Sequence, residues 1–229
     1  MIHLDRVSVE YPNGVRALND VSLSICKGDF AFIVGSTGSG KSTMLRLLYR
    51  DIVPNQGTVV VDGQDVGTLK SADVPYLRRK LGIVFQDFKL LPQKNVWENL
   101  SFALRVLGTS PKEIRRRIRE VLDLVGLAHR CDAFPNQMSG GEQQRAAIAR
   151  ALINYPTVLI ADEPTGNLDP DTSWGIMQLL DEINSRGTTV AVATHDNQMV
   201  DRLKKRVIEI DLGCVVRDQF KGTYTHCES

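Results

Sequence analysis

Apolar residues are spaced along the chain in two ways, and the alternation between them predicts an α/β fold. In several short runs nearly every residue is apolar, which is typical of strands buried on both faces of a sheet. Such strands are expected at residues 30–34, 81–85, 157–161 and 188–194. Residues 42–50 and 173–185 instead place apolar residues at helical spacing. Buried strands that alternate with helices indicate a mostly parallel core sheet covered on both faces.

A stricter alternation of apolar and polar residues marks a second kind of strand. Residues 2–9 and 21–25 alternate in this way, which predicts strands with one buried face. Residues 58–66 form two short apolar runs around an Asp-Gly pair, and residues 206–218 do the same around a Leu-Gly pair. Both patterns predict hairpins. We therefore expect an N-terminal antiparallel β sub-domain beside the parallel core.

From about residue 88 to residue 153 the spacing becomes helical. Ser110, Pro111 and Glu113 match a capping box with proline at the first helical position. An apolar stripe follows at Ile114, Ile118, Val121, Leu122 and Val125. Because the α/β pattern resumes after this block, we expect a single domain of 229 residues with the block inserted in it. Residues of about 1–87 and 154–229 would form its core, and residues 88–153 an inserted helical sub-domain.

The charge balance, the length of the apolar runs and the spacing of the cysteines limit the classes of function that are open to the chain. Lysine plus arginine (28) nearly cancels aspartate plus glutamate (27), so the net charge of +1 gives no general attraction to nucleic acid. No apolar run approaches the roughly 18 residues of a membrane-spanning helix, and the N-terminus lacks a leader pattern. We expect a cytosolic protein that reaches a membrane only through a partner. The cysteines are far apart and are expected to be reduced thiols: Cys26, Cys131, Cys214 and Cys227.

A glycine-rich segment lies between the strand at 30–34 and the helix predicted after it. Residues 35–42 read GSTGSGKS and match G-x-x-x-x-G-K-[ST] in the strand–loop–helix context of a phosphate-binding loop. Glycines let successive N–H groups face one anion, and the helix start adds positive potential. Lys41 is predicted to reach the outer phosphates and Ser42 to ligate Mg²⁺. The nucleotide-binding residues predicted here are Gly35, Ser36, Thr37, Gly38, Ser39, Gly40, Lys41, Ser42 and Thr43.

An acidic pair follows a second buried strand. In VLIADEP, four apolar residues lead to Asp162 and Glu163 at the carboxyl end of a strand, where open α/β sheets bind ligands. Asp162 is predicted to hold Mg²⁺ and Glu163 to polarise the attacking water, although a solvated strand end gives the same pattern. With the loop, the pair predicts a P-loop NTPase. GTPases, small-molecule kinases and motor ATPases stay open, but the chain has no N-K-x-D guanine reader.

A second helix start can also bind an anion. In MSGGEQQRAAIARAL, Ser139, Gly140 and Gly141 come directly before a strongly helical stretch. One phosphate chain cannot easily use both helix starts of one small protein. The economical interpretation is that this segment serves a nucleotide held by another copy. A plain helix cap would give the same residues.

Here the chain resembles the ABC ATPase family, and the resemblance covers nearly its whole length. The segment is similar to that family's Leu-Ser-Gly-Gly-Gln signature, with Met138 and Glu142 as departures that spare Ser-Gly-Gly. The resemblance implies ATP and Mg²⁺ as cofactors and a head-to-tail homodimer in the ATP-bound state. It also implies roles for four more residues. Gln86 would contact Mg²⁺ and water, His195 the γ-phosphate, Asp169 the dimer seam and Tyr11 the adenine.

Residues 85–104 and DEPTGNLDP resemble the members of this family that act in cell division. In that branch hydrolysis moves an integral membrane partner that regulates cell-wall hydrolases, and does not pump a solute. ATPases for lipoprotein release and macrolide export share DEPTGNLD, so a solute transporter is the alternative. A nucleic-acid-associated ABC ATPase would need long coiled-coil insertions, and no heptad run is present.

Two segments are candidates for contact with the partner. Residues 87–97 are expected to expose Phe88, Leu90, Leu91 and Trp97. The predicted helix after Ser110 carries a basic face that is either a solvated surface or a contact for the partner or anionic lipid. The residues of this face are Lys112, Arg115, Arg116, Arg117 and Arg119.

Overall fold

Ten strands form two sheets in the computed structural model, which describes residues 1–221. The smaller sheet is antiparallel, with the order β2-β1-β4-β5. Its strands are β1 (Ile2–Glu10), β2 (Arg16–Ile25), β4 (Gln56–Val61) and β5 (Gln64–Asp65). The larger sheet has the order β10-β9-β3-β8-β7-β6. Its strands are β3 (Phe30–Val34), β6 (Leu81–Val84), β7 (Val158–Asp162), β8 (Thr189–Ala193), β9 (Arg206–Asp211) and β10 (Cys214–Gln219).

Seven α-helices connect these strands within residues 1–221. They are α1 (Lys41–Leu48), α2 (Val74–Arg78), α3 (Val96–Val106), α4 (Pro111–Leu124), α5 (Gly140–Leu152), α6 (Pro170–Ser185) and α7 (Asn197–Leu203). The predicted fold class, a mostly parallel core with an antiparallel β sub-domain, is confirmed, since only β10 pairs antiparallel in the larger sheet. No helix in the described part of the chain is long and apolar enough to cross a bilayer.

The larger sheet is buried on both faces because its strands are continuously apolar. All five residues of β3 are buried, and they alternate between two cores. Phe30, Phe32 and Val34 pack into a cluster with residues of α3, α4, α5 and α6. Ala31 and Ile33 face the opposite way, toward α1 and the antiparallel sheet. The two-residue period of a strand thus explains why this sheet lies between two layers.

The apolar stripe of α4 packs as the sequence predicts, whereas its N-terminal cap differs. All five stripe residues are buried in the cluster shared by α3 and α5. The hydroxyl of Ser110 accepts a hydrogen bond from the backbone N–H of Glu113 at 3.4 Å. The carboxylate of Glu113 does not reach back to complete the predicted capping box. It accepts hydrogen bonds from Arg116 and Arg117 instead, which pair its negative charge with two cations.

Two short helices escaped the sequence analysis. The helices α2 and α7 have five and seven residues, too few for helical spacing to be recognised. The structure also starts α6 three residues earlier than expected, because the Asp169 side chain caps it from outside. Cys26, Cys131 and Cys214 are free thiols, as predicted. Cys227 lies outside the described residues.

Candidate functional site

The loop at residues 35–42 follows β3 and holds a shape that only glycine allows at two positions. Gly35 and Gly40 have φ values of +144° and +113°. A Cβ atom on Gly35 would overlap the backbone oxygen of Ile210, and one on Gly40 would overlap that of Ala17. Both sheets therefore approach the loop closely, the larger sheet through β9 and the antiparallel sheet through β2. The resulting cradle leaves the first N–H groups of α1 without a side-chain cap.

Lys41 supplies the positive charge of this cradle. Its side chain is buried, and its ammonium group donates hydrogen bonds to the carbonyl oxygens of Gly35 at 2.8 Å and Ser36 at 3.0 Å. Among the described residues no carboxylate lies within ion-pair distance of Lys41. A buried ammonium group held only by loop carbonyls fits an anion as its intended partner.

Ser42 and Asp162 meet beside this loop. The hydroxyl of Ser42 donates a hydrogen bond to Oδ1 of Asp162 at 3.1 Å. Burial raises the pKa of Asp162, the bond from Ser42 opposes that rise, and the nearby charge of Glu163 adds to it. Hard oxygen ligands of this kind suit Mg²⁺, which usually takes its other ligands from water and substrate phosphates. Within residues 1–221, no group of three or more histidine, cysteine or acidic residues could hold a metal ion through protein ligands alone.

Three neighbouring strands bring the predicted catalytic side chains to one edge. Gln86 follows β6, Glu163 follows β7 and His195 follows β8, and these strands pair in parallel in that order. The ring nitrogen Nδ1 of His195 lies 2.9 Å from Oε1 of Glu163. Glu163 has a φ of +48°, and its N–H bonds to the carbonyl of Ala193 at 2.9 Å. The strand β8 thus fixes the backbone that carries Glu163.

Gln86 is held by a residue to which sequence analysis assigned no role. Its Nε2 donates to Oδ1 of Asn167 at 3.4 Å, and Nδ2 of Asn167 donates to the backbone oxygen of Gln86 at 3.2 Å. Asn167 lies in GNLDP, where only Asp169 had been singled out. Oδ1 of Asp169 accepts from the N–H of Thr172 at 3.0 Å. The side chain of Thr172, and after it this backbone bond, lowers the pKa of Asp169. Asp169 is therefore the N-cap of α6 in this chain.

Tyr11 lies next to the loop through its hydroxyl group. That hydroxyl is 3.1 Å from Oγ1 of Thr43 and accepts a hydrogen bond from Nη1 of Arg46 at 3.3 Å. Arg46 is itself bound by Asp51, with an N–O distance of 2.7 Å. The ring of Tyr11 is thereby tied to the first turns of α1. Arg46 carries no motif, so only the folded chain reveals its contact.

The segment at residues 139–141 lies apart from the loop within one chain. No hydrogen bond among the described residues joins it to residues 35–42. Its glycines approach Leu168 and Thr172 instead. The hydroxyl of Ser139 accepts from the N–H of Glu142 at 3.2 Å, and a carboxylate oxygen of Glu142 accepts from the N–H of Ser139 at 2.8 Å. A complete capping box therefore presents this second helix start at the surface.

The departure at Glu142 from the family signature has a structural partner. Arg130 donates to both carboxylate oxygens of Glu142, at 2.7 and 3.1 Å. This guanidinium is the largest cause that lowers the pKa of Glu142 to about 2, and the bonds from Ser139 add to it. Met138, the other departure, is buried in the apolar cluster between the larger sheet and the helices α3, α4, α5 and α6. Neither residue displaces Ser139 from its cap.

The candidate partner surfaces differ in part from expectation. Phe88, Leu90 and Trp97 were expected to be exposed, but all three are half-buried, and Leu90 and Trp97 pack against the core. Leu91 remains exposed. On the basic helix α4, Arg116 and Arg117 are paired with Glu113, and Arg116 also with Glu120. The other basic residues line a surface hollow of about 700 Å³ and are Lys112, Arg115 and Arg119.

Comparison with known proteins gives consistent matches over nearly the whole chain. A family model described as ABC transporter matches residues 18–166. The cell division ATP-binding protein FtsE of Bacillus subtilis (strain 168) is 53% identical over 224 residues, which cover 98% of this chain and 98% of the relative. FtsE of Escherichia coli (strain K12) is 44% identical over 213 residues, which cover 93% and 96%.

A solved structure extends the likeness to the fold. It is described as a dimeric post-hydrolysis state of the ATP-binding cassette MJ0796 bound to ADP and Pi. The TM-score is 0.87 at 38% identity, and the match covers 98% of this chain and all of that chain, 100%. These comparisons agree with the resemblance that residues 138–142 show on their own.

The Arg130–Glu142 contact predicts a pH-dependent stability. The folded-state pKa of Glu142 is about 2, below the ordinary 4.5. The ionised carboxylate therefore stabilises the fold above about pH 4.5, and that stabilisation is lost as the pH falls toward 2. The difference in free energy of unfolding between the natural chain and Glu142→Gln should shrink over this interval in urea titrations. A difference that stays constant with pH contradicts the assignment. In an Arg130→Gln background the pH dependence should be weaker.

Proposed function

We propose, since the chain belongs to the ABC transporter family of ATP-hydrolysing proteins, that two copies enclose two ATP molecules and drive a membrane partner in cell division. The observation that carries the proposal is the division of the site within one chain. The loop at residues 35–42 and the helix start at residues 139–141 are both built to bind anions, and they do not meet. A second copy would supply the missing half of each site.

The nucleotide half of the site is assigned to residues around the loop. Lys41 would exchange its two carbonyl partners for oxygens of the outer phosphates, and Tyr11 would stack on the adenine. Ser42, Asp162 and Gln86 would hold Mg²⁺, which when bound neutralises phosphate charge. The fit rests on the Ser42–Asp162 contact and on the glycine cradle described above. The N–H groups of residues 36–43 would bind the remaining phosphate oxygens.

Glu163 is the residue that we assign to activating water. Its side chain is only 17% exposed, and Nδ1 of His195 lies 2.9 Å from one carboxylate oxygen. The other oxygen can accept a hydrogen bond from the attacking water, and His195, which is 63% exposed, can reach the γ-phosphate. A cleft of about 510 Å³ beside both residues gives room for these groups. Catalysis of this reaction depends mostly on positioning and charge neutralisation.

The second copy completes each site from across the dimer. Gly140 and Gly141 present N–H groups and Ser139 its hydroxyl group at the start of α5, where a γ-phosphate of the other chain would bind. Asp169 would lie near the same seam. ATP would then favour the closed dimer and hydrolysis would reopen it, which is a switch between two states. The solved relative supports this proposal because it is described as a dimer bound to ADP and Pi.

The partner is assigned from the relatives' role in cell division. We infer an FtsX-like integral membrane protein, with this chain bound peripherally at the cytoplasmic face of the inner membrane. Residues 87–97 are the proposed contact, because they directly follow Gln86 and expose Leu91. We also propose that residues of about 88–153 act as the helical sub-domain that passes the closure of the dimer to this partner.

Replacement of Glu163 tests the assigned base. Glu163→Gln should bind ATP with little change in Kd but hydrolyse it about 10²- to 10⁴-fold more slowly, because the amide cannot accept the proton. The matched control is Glu182→Gln, an exposed residue paired with Arg186 on α6. A steady-state phosphate-release assay and a binding titration separate the two effects. Normal turnover by Glu163→Gln would remove Glu163 from this role.

Purification from native membranes tests the partner. The tagged chain should recover an FtsX-like membrane protein without a solute-binding protein. Leu91→Asp should reduce that recovery, because it places a charge on the exposed apolar contact. Leu212→Asp is the control, since Leu212 is 85% exposed on the β9–β10 turn. Recovery of a solute permease would overturn the cell-division role in favour of transport.

A further inference from the structure

Arg150, near the end of α5, is bound to the backbone of the segment that follows Gln86. Its Nη2 donates a hydrogen bond to the carbonyl oxygen of Phe88 at 3.0 Å, and its Nη1 donates to that of Lys89. The two nitrogens of one planar guanidinium thus hold two consecutive carbonyl groups. Such a fork is specific to arginine, because the ammonium group of lysine is a single point donor.

This contact partly removes the guanidinium group of Arg150 from water. Burial lowers the pKa of Arg150, so removal from water costs this cation free energy. Within residues 1–221 no carboxylate forms an ion pair with it. The two carbonyl oxygens are therefore the acceptors that hold the charge. A guanidinium group held in this partly buried site by two carbonyl oxygens contributes more than charge to the protein surface.

The carbonyls are aligned because the backbone is strained. Phe88 and Lys89 have φ values of +59° and +51°. The left-handed region is unfavourable for an ordinary residue, and here two such residues follow one another. Neither is glycine or asparagine, the types that adopt this conformation readily. The hydrogen bonds from Arg150 offset this strain and hold the turn in place.

The strained turn lies between two parts of the proposed machinery. It begins two residues after Gln86, which contacts Asn167. The ring of Phe88 also lies 4.0 Å from the Cβ position at Gly140. The segment at residues 88–89 thus lies beside the start of α5 through this ring and is bound to the end of α5 through Arg150. Gln86 and the helix that presents residues 139–141 are physically connected by this short turn.

We propose that Arg150 is a positioning residue that joins Gln86 and the start of α5 into one unit. The inference rests on the proposed function and deepens it, because it names the residue that couples two halves of the site within each chain. Within residues 1–221, Arg150 itself forms no hydrogen bond or ion pair with the loop at residues 35–42 or with Glu163. Its loss should therefore lower kcat and leave ATP binding by the isolated chain nearly unchanged.

The test compares Arg150→Ala with Arg150→Lys in an ATPase assay. Loss of a coupling contact typically changes a rate by about 2- to 30-fold. We expect kcat to fall within this range for Arg150→Ala and less for Arg150→Lys, with the Kd for ATP changed less than about 2-fold. Arg105→Ala, which removes an exposed arginine on α3, is the control for lost charge. An unchanged kcat in Arg150→Ala overturns the inference, as does a loss of ATP binding equal to the loss of rate.

A second substitution separates positioning from simple loss of stability. Asparagine adopts positive φ more readily than lysine, so Lys89→Asn relieves the strain that Arg150 offsets. The fall in kcat caused by Arg150→Ala should then be at most about a third as large in the Lys89→Asn background. Equal falls in both backgrounds contradict the inference. If the natural chain hydrolyses ATP and Glu163→Gln does not, any such failure concerns Arg150 alone and leaves the proposed function standing.

Discussion

The site depends on a steric constraint at the loop between β3 and α1. Backbone oxygens of Ile210 and Ala17 stand so close to Gly35 and Gly40 that a side chain at either glycine would overlap them. One oxygen belongs to the larger sheet and the other to the antiparallel sheet. The packing of the two sheets therefore sets the shape of this glycine-rich cradle. Lys41 completes the cradle by turning back onto the loop carbonyls.

Parallel pairing explains why the remaining groups collect at the same edge. The strands β6, β7 and β8 end side by side, so Gln86, Glu163 and His195 are placed by topology and not by loop flexibility. The same arrangement leaves the start of α5 outside the reach of the loop. The loop and the start of α5 form no hydrogen bond with each other among the described residues, so we propose that they act on different nucleotides. In the proposed function, dimerisation is therefore part of the chemistry and links hydrolysis to motion of a partner.

The sequence predicted features that depend on local pattern. The loop at residues 35–42, the strand before it and the stripe of α4 follow from motif and period, and all lie where expected. The start of α5 was recognised because serine and two glycines precede a helical run. Features that depend on competition between contacts were missed. The carboxylate of Glu113 binds guanidinium groups and not the N-terminus of its own helix. The left-handed turn bound by Arg150 contains no glycine that would have indicated it in the sequence.

The central claim is that each ATP is shared by two chains, and mixing two inactive variants tests it most directly. Lys41→Ala removes one half of every site, and Ser139→Ala the other. In a mixed dimer both defects fall in one site, and the second site is intact. An equal mixture should recover about a quarter of the natural activity if subunits associate at random, since half of the dimers carry one competent site of two. If both variants are folded and associate but the mixture stays inactive, the shared site is contradicted.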